Sequence, residues 1–400
     1  MVRIVALWNN KAAQMISGRK NIFDSIKKIS QKTKGKKIVW FHAASVGEFE
    51  QGRPIIEDVR IKYPDYKIIL TFFSPSGYEL RKNYEYVDFV CYLPFDTKVN
   101  AETFISILNP SMAIFIKYEF WLNILNSLFN RKIPVYLISA VIHENQTFFK
   151  WYGKNFRNSL LKYEKIFVQD KHSLNLLYKI GAKNCIVSGD TRLDRVIKIT
   201  QVEFKNEIIE SFIGNKKIII AGSSYLEEEN FLIQYFKLIK KDSDKIKLIF
   251  VPHEVNKNSV ERIEKLLSES KITHTRYSDQ KNLESEVMIL DTIGMLASIY
   301  RYAFVAVIGG GFKSGIHSIL EAAAYGIPVL FGPNHKKFSE ANELIKINAA
   351  FSFDNYDTFK LSLDKIIQDE NFRFEIGERI KKFIQENSGA KEITMRSIKW

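Results

Sequence analysis

Two successive α/β domains, each a doubly wound parallel sheet covered by helices, are the fold class this 400-residue sequence predicts. Three observations lead there. From Lys37 onward short apolar runs alternate with amphipathic stretches. The alternation lapses once, in a polar connector after Gly189, and then restarts. Phe304 to Pro333, FVAVIGGGFKSGIHSILEAAAYGIPVLFGP, spells out one complete strand–loop–helix–strand unit.

Met1 to Lys37 is basic and irregular and reads as one or two helices leading into the first strand. Strands are expected at Ile38–His42, Lys67–Phe73, Phe89–Tyr92, Met112–Ile116, Val135–Ser139, Ile166–Gln169 and Cys185–Ser188. Their apolar runs suit strands buried on both faces. Segments such as Glu48–Lys62 and Ser173–Ile180 are long enough for covering helices. The domain boundary falls within DTRLDRVIKITQVEFKNEIIESFIGNKK, so the domains are assigned as 1–200 and 201–400. Strands then resume at Ile218–Ala221, Ile246–Val251, Val287–Leu290, Val305–Gly309 and Val329–Phe331, and Asn371 to Trp400 ends the chain as amphipathic helix.

Within the Phe304–Pro333 unit, Gly309, Gly310, Gly311 and Gly315 form a loop whose backbone can approach a ligand closely. A helix is expected from near His317 to Gly326, with Pro328 beyond it as a stop signal. A helix start favours an anionic group such as phosphate. His317 and Glu321, four apart, would share one face, where the carboxylate could accept two hydrogen bonds from a ribose diol. The alternative is a buried βαβ unit whose glycines only permit tight packing.

Cys91 and Cys185 are too few for a disulfide framework and fit a reducing compartment. No stretch approaches the length of a membrane span, and the apolar run Val2–Trp8 is too short for one. The net charge of +14 is carried entirely by residues 1–200, with 31 Lys+Arg against 17 Asp+Glu; residues 201–400 hold 28 of each. Such a field attracts a polyanion: nucleic acid, an anionic membrane surface or an acidic lipid.

Five short motifs stand at expected strand ends. In HAASVGE (His42 to Glu48), Ser45 and Glu48 have capping-box spacing, yet Glu48 is also placed as a general base would be. SPSGYE (Ser74 to Glu79) repeats the spacing at Ser76 and Glu79, and KYEFW (Lys117 to Trp121) sets Glu119 in a polar–aromatic rim. AGSSYLEEE (Ala221 to Glu229) offers Ser223 and Ser224 to an anion, with Ser224 and Glu227 at capping spacing. VPHE (Val251 to Glu254) presents His253, either a base or phosphate contact or a polar turn residue. The run Phe148–Lys154 mixes Trp151 and Tyr152 with lysines, which suits a membrane interface or an ordinary helix start. No Walker A, zinc spacing, GxSxG elbow or D-x-D element is present, so nothing in the sequence argues for a metal.

In their order, HAASVGE, SPSGYE, KYEFW, GDTRLDRV (Gly189–Val196), the GSS…EEE turn and GGGFKSGIHSILEAAAYGIPVLFGPNHKKF resemble the Kdo (3-deoxy-D-manno-octulosonic acid) transferases of lipopolysaccharide synthesis, glycosyltransferase family 30. The resemblance covers nearly the whole chain. It implies a GT-B fold with an interdomain cleft, an acceptor-binding first domain, and a second domain that binds the donor CMP-Kdo. C-terminal helices would pack back on the first domain. It also implies a lipid A precursor (lipid IVA) as acceptor, an inverting transfer without metal or cofactor, and work at the cytoplasmic face of the bacterial inner membrane.

On the family's pattern Glu48 is the general base and Glu119 a second functional carboxylate. Ser45, Gly47, Ser76, Lys117 and Arg192 fall to the acceptor. Ser223, Ser224, His253, Gly310, Gly311, His317, Ser318 and Glu321 fall to the nucleotide. Two departures stand out: Ser318 replaces the Asn common in the family, and Val2–Trp8 replaces a longer anchor helix, as in a shortened chain or a peripheral protein. The runner-up is another GT-B transferase or epimerase acting on a UDP-sugar. A basic nucleic-acid-binding protein is the alternative from a different class, but no RNP or helix-turn-helix signature supports it.

Overall fold

The computed structural model describes residues 10–239, 245–280 and 282–400, and the Val2–Trp8 run lies outside them. The chain forms two compact units, residues 1–194 with 387–400, and residues 195–386. The division falls six residues before 200, and the last helix (Ala390–Ser397) is counted with the first unit.

The first unit is built on a seven-stranded, all-parallel sheet. Its strands are β1 (Ile38–Ala43), β2 (Lys67–Phe72), β3 (Phe89–Tyr92), β4 (Met112–Ile116), β5 (Val135–Ala140), β6 (Lys165–Val168) and β7 (Cys185–Val187), in the order 3-2-1-4-5-6-7. The order reverses between β1 and β4, which makes the carboxyl end of β1 a topological switch point, where α/β sheets place ligands. The apolar runs follow from cover on both faces. Along β1, Ile38 and Trp40 pack into one layer with Phe104 and Phe115, while Val39, Phe41 and Ala43 pack into the other with Phe49 and Ile114. A polar residue in such a strand needs a partner inside the fold, and β1 carries one, the fully buried His42.

The last helix joins the second of these layers. Met395 and Ile398 are buried there, and Trp400 stacks on Tyr63 with ring centres 5.5 Å apart. Asp194 holds the approach, its carboxylate accepting from the backbone N–H groups of Gly389 and Lys391 at 2.7 Å each.

The second unit repeats the plan with β8 (Lys217–Ser224), β9 (Ile246–Pro252), β10 (His274–Arg276), β11 (Val287–Ile289), β12 (Val305–Ile308), β13 (Val329–Phe331) and β14 (Ala350–Ser352). They are all parallel, in the order 10-11-9-8-12-13-14. The edge strands β10 and β14 were not expected. Each has three residues and lacks the apolar run that marks a doubly covered strand. The helix expected from His317 to Gly326 is only one turn, Leu320–Ala323. Residues 315–318 before it form no regular element, and the His317 N–H donates back to the Gly309 carbonyl at 3.0 Å. His317 and Glu321 therefore do not share a helical face, and no helix starts at His317.

Among the described residues no helix is long and apolar enough to cross a membrane. Because Ile398 fills a layer of the first unit, Ile398→Ala is expected to destabilise that unit by about 2–5 kcal/mol. A denaturant titration would show the first unit's transition moved to lower denaturant.

Candidate active site

In the first unit the site grows from the turn after β1. The helix Val46–Lys62 is capped by Ser45, whose hydroxyl accepts from the Glu48 N–H at 3.4 Å. Glu48 returns the bond: one carboxylate oxygen accepts from the N–H groups of Ser45 at 3.1 Å and Ala44 at 2.6 Å. The capping box is thus real, and it fixes the carboxylate at the switch point. The Glu48 pKa is raised to about 7, by burial first and then by the Glu119 charge, against the opposing pull of the two backbone bonds and Lys117. A group poised there is divided between acid and base at neutral pH.

Glu119 belongs to a buried polar chain that the sequence reading did not assemble. Its carboxylate lies 3.0 Å from His42 Nε2 and accepts from the Trp121 indole N–H. His42 Nδ1 lies 2.8 Å from the Thr71 hydroxyl, which accepts from Trp40 Nε1–H at 2.9 Å. Nε2 also lies 3.0 Å from the Trp121 indole nitrogen, and Nδ1 3.2 Å from the Thr71 carbonyl oxygen. The Tyr163 hydroxyl donates to the Glu119 carbonyl at 3.1 Å. His42 pairs with Thr71 on β2 and Phe115 on β4, so strand register creates the chain. The available signal was a histidine inside a run buried on both faces; its partner depends on β1 lying beside β4.

Among the acceptor-side residues, Gly47 is exposed and a side chain there would meet nothing within 4 Å. Lys117 takes a left-handed backbone (φ 71°), with its ammonium 5.1 Å from the Tyr118 ring centre. Arg192 chelates the Asp190 carboxylate through Nε and Nη2 at 2.5–3.1 Å. Its neighbour Thr191 bonds through its hydroxyl to the Gln51 carbonyl, three residues past Glu48. Ser76 is not a cap: Ser74 caps the helix Pro75–Arg81 by accepting from Gly77, Ser76 lies 3.2 Å from the Ser74 hydroxyl, and Glu79 pairs with Lys82. Lys117, Glu48 and Glu119 are brought together; Ser76 instead joins Ser74.

In the second unit three rings stack. His253 and His317 lie 4.2 Å apart at 24°, and Tyr225 stacks on His253 at 5.0 Å. The Tyr225 hydroxyl is 3.3 Å from His317 Nε2. Burial, then the neighbouring His253, lower the His317 pKa to about 4, so its imidazole is neutral at physiological pH. The helix start is one residue later than expected: Tyr225 is the N-cap without a side-chain cap bond, and Glu228, not Glu227, accepts from its N–H at 3.2 Å. Just before it Ser223 takes a left-handed backbone (φ 51°), where the β8–β9 register is irregular.

Three glutamates at one helix start would repel an anion, and each is offset. Glu227 pairs with Lys313 at 2.9 Å, and Glu229 with Arg262 through two bonds of 2.8 and 3.0 Å. Burial pushes Glu228 up to about 7. The buried Ser224 hydroxyl donates to Glu229 at 3.0 Å, and the Gly310 N–H to Glu228 at 3.1 Å. Gly310 has φ 91°, and a side chain on Gly311 would collide with the Gly332 backbone, so tight packing accounts for much of this loop. Ser318 is exposed, and Glu321 lies close enough to the buried Tyr300 to raise that phenol's pKa further.

Two tandem Rossmann-like units of this kind define a GT-B protein. The structure is similar to a UDP-GlcNAc 2-epimerase from Neisseria meningitidis bound to UDP-GlcNAc (TM-score 0.62, 17% identity, 90% of this chain and 98% of that one). It also resembles a glycosyltransferase from Rickettsia africae (TM-score 0.57, 15% identity, 90% and 97%). Residues 19–195 match the family model 3-deoxy-D-manno-octulosonic-acid transferase (kdotransferase), and residues 203–383 match glycosyl transferases group 1. Proteins named 3-deoxy-D-manno-octulosonic acid transferase from Aquifex aeolicus (27% identical, 83% of this chain, 86% of that protein) and Rickettsia felis (25%, 88% and 76%) are similar along their length. So is one from Haemophilus influenzae (24%, 88% and 84%). The chain belongs to the Kdo transferase family and is a glycosyltransferase.

The Glu48 pKa gives a stability test. Its folded value of about 7 lies above the ordinary 4.5, so the folded state binds more protons in that window and loses stability as pH rises through it. Glu48→Gln removes this loss. Urea titrations at pH 4.5, 6 and 8 should show the variant gaining on the parent protein steadily with pH.

Proposed function

We propose that this Kdo transferase takes Kdo from CMP-Kdo and transfers it, with inversion and without a metal, to a hydroxyl of a lipid A precursor, lipid IVA. Glu48 is the general base. The observation that carries this reading is its carboxylate, pinned by two backbone N–H groups at the switch point with its pKa raised to about 7. An alcohol attacking an anomeric carbon must lose its proton as the new bond forms, and a carboxylate of this basicity can take it at neutral pH. The open space at Gly47 leaves room for an acceptor beside it. Lys117 and Arg192 suit the phosphates of such an acceptor, and the excess positive charge of residues 1–200 suits an anionic inner-membrane surface.

Glu119 acts as a fixed charge beside Glu48. The fully buried His42 and the partly buried Trp121 hold it in place. In the second unit the nucleotide is assigned to Ser223, Ser224, His253, Gly310, Gly311, His317, Ser318 and Glu321. The neutral His317 stacked with His253 supplies flat rings and hydrogen-bonding nitrogens without repelling a cytidine ring. As the bond to the sugar breaks, charge develops on the CMP phosphate, which polar groups already in place stabilise.

The test is a transfer assay with CMP-Kdo generated in place, lipid IVA, excess chelator and mass spectrometry of the lipid. The lipid should gain one or more Kdo masses despite the chelator. Glu48→Gln should lower turnover by roughly 100-fold or more while CMP-Kdo binding survives. Were Glu48 only a cap, the variant would keep its turnover, since Gln also serves a capping box. No product from folded parent protein would reject this donor and acceptor, and a screen of UDP-sugars would follow.

A further inference from the structure

Trp151 is 90% exposed and Tyr152 61%. The two rings touch edge to face, 5.5 Å between centres. They do not sit on a loose loop. The N–H groups of Phe149, Lys150 and Gly153 donate to the carbonyls of Gln146, Thr147 and Lys150, each at 3.0 Å. A side chain on Gly153 would collide with the Thr147 carbonyl, so the turn closes only with glycine there. Beneath it the buried Phe148 meets Phe120 edge-on at 5.5 Å, and Arg157 Nη1 donates to the Phe148 carbonyl at 3.0 Å. Phe120 lies between Glu119 and Trp121 in sequence, so the turn is anchored to the segment that carries the buried carboxylate.

Along the sequence that carries the rings, the charge is one-signed. From Asn145 to Tyr163 the chain has Lys150, Lys154, Arg157 and Lys162 and no acidic residue; Glu144 and Glu164 bound the stretch. Lys162 also lines a groove with Lys132, shared with Glu164. Two amphipathic aromatic rings on a braced turn, set among cations, match the headgroup layer of an anionic bilayer. There the rings bury their apolar faces and the cations meet lipid phosphates. A protein partner would call for a broader apolar face than two rings.

We propose that the Lys150–Lys154 turn is the bilayer-seating element of the first unit, placing Trp151 and Tyr152 among anionic headgroups and holding the Glu119 segment close to lipid. This rests on the reading of the acceptor as a lipid. Vesicles that contain no acceptor keep the two claims separable.

The experiment is co-sedimentation of the full chain with phosphatidylglycerol-containing and with purely phosphatidylcholine vesicles, at low and high salt. Transfer to detergent-dispersed lipid IVA and thermal unfolding are measured alongside. The parent protein should bind the anionic vesicles in a salt-sensitive way. Trp151→Ala with Tyr152→Ala should weaken partitioning about tenfold or more. Lys150→Gln with Lys154→Gln should weaken it about 25-fold, at about fivefold per lysine. Both variants should keep the parent's unfolding temperature and its detergent activity. Parent protein that ignores anionic vesicles, or folded variants that bind them as the parent does, would overturn the proposal. Absence of transfer with the vesicle pattern intact would count against the donor and acceptor instead.

Discussion

A carboxylate held by backbone hydrogen bonds yet largely shielded from water is the constraint around which the first unit is arranged. Glu48 accepts from Ala44 and Ser45 because the chain turns sharply from β1 into a helix at the point where the sheet order reverses. Those two bonds alone would lower its proton affinity. Burial outweighs them, and the neighbouring Glu119 charge adds to the rise. A cap and a base are therefore compatible: the cap fixes the carboxylate, and the surroundings set its basicity.

The Glu119 charge is itself expensive to bury, and the fold meets that cost through β1, β2 and β4 together. His42 and Trp121 face the carboxylate, while Thr71 and Trp40 complete the far side of the imidazole. The imidazole has partners at both nitrogens, as a buried polar group requires. The second unit solves a related problem differently. Its three first-turn glutamates are offset by Lys313, by Arg262 and by the raised proton affinity of Glu228, which leaves the histidine stack beside a nearly neutral helix start.

Much of this was legible in the sequence. Apolar runs with no polar alternation mark twelve of the fourteen strands among the described residues, because a strand covered on both faces can hardly be built otherwise. The Ser45–Glu48 box and its place at a strand end were also readable. Three kinds of feature were not. The short edge strands β10 and β14 lack the apolar signature. Cap spacing misled at Ser76 and Ser224, since Ser74 and Tyr225 compete for the same helix starts and backbone geometry decides between them. The helix after the glycine loop is one turn, and His317, expected at its start, instead lies in the loop with its N–H on the Gly309 carbonyl. The His42 network escaped notice for a deeper reason: its members are distant in sequence and meet only through strand order.

The central claim is that burial and the Glu119 charge together poise Glu48 as a base. The most direct measurement is an NMR titration of the 13C-labelled Glu48 carboxyl in the parent protein and in Glu119→Gln. The account predicts a midpoint near 7 in the parent and a lower midpoint in the variant. A parent midpoint at the ordinary carboxylate value, or one that stays put when the Glu119 charge is removed, would contradict it.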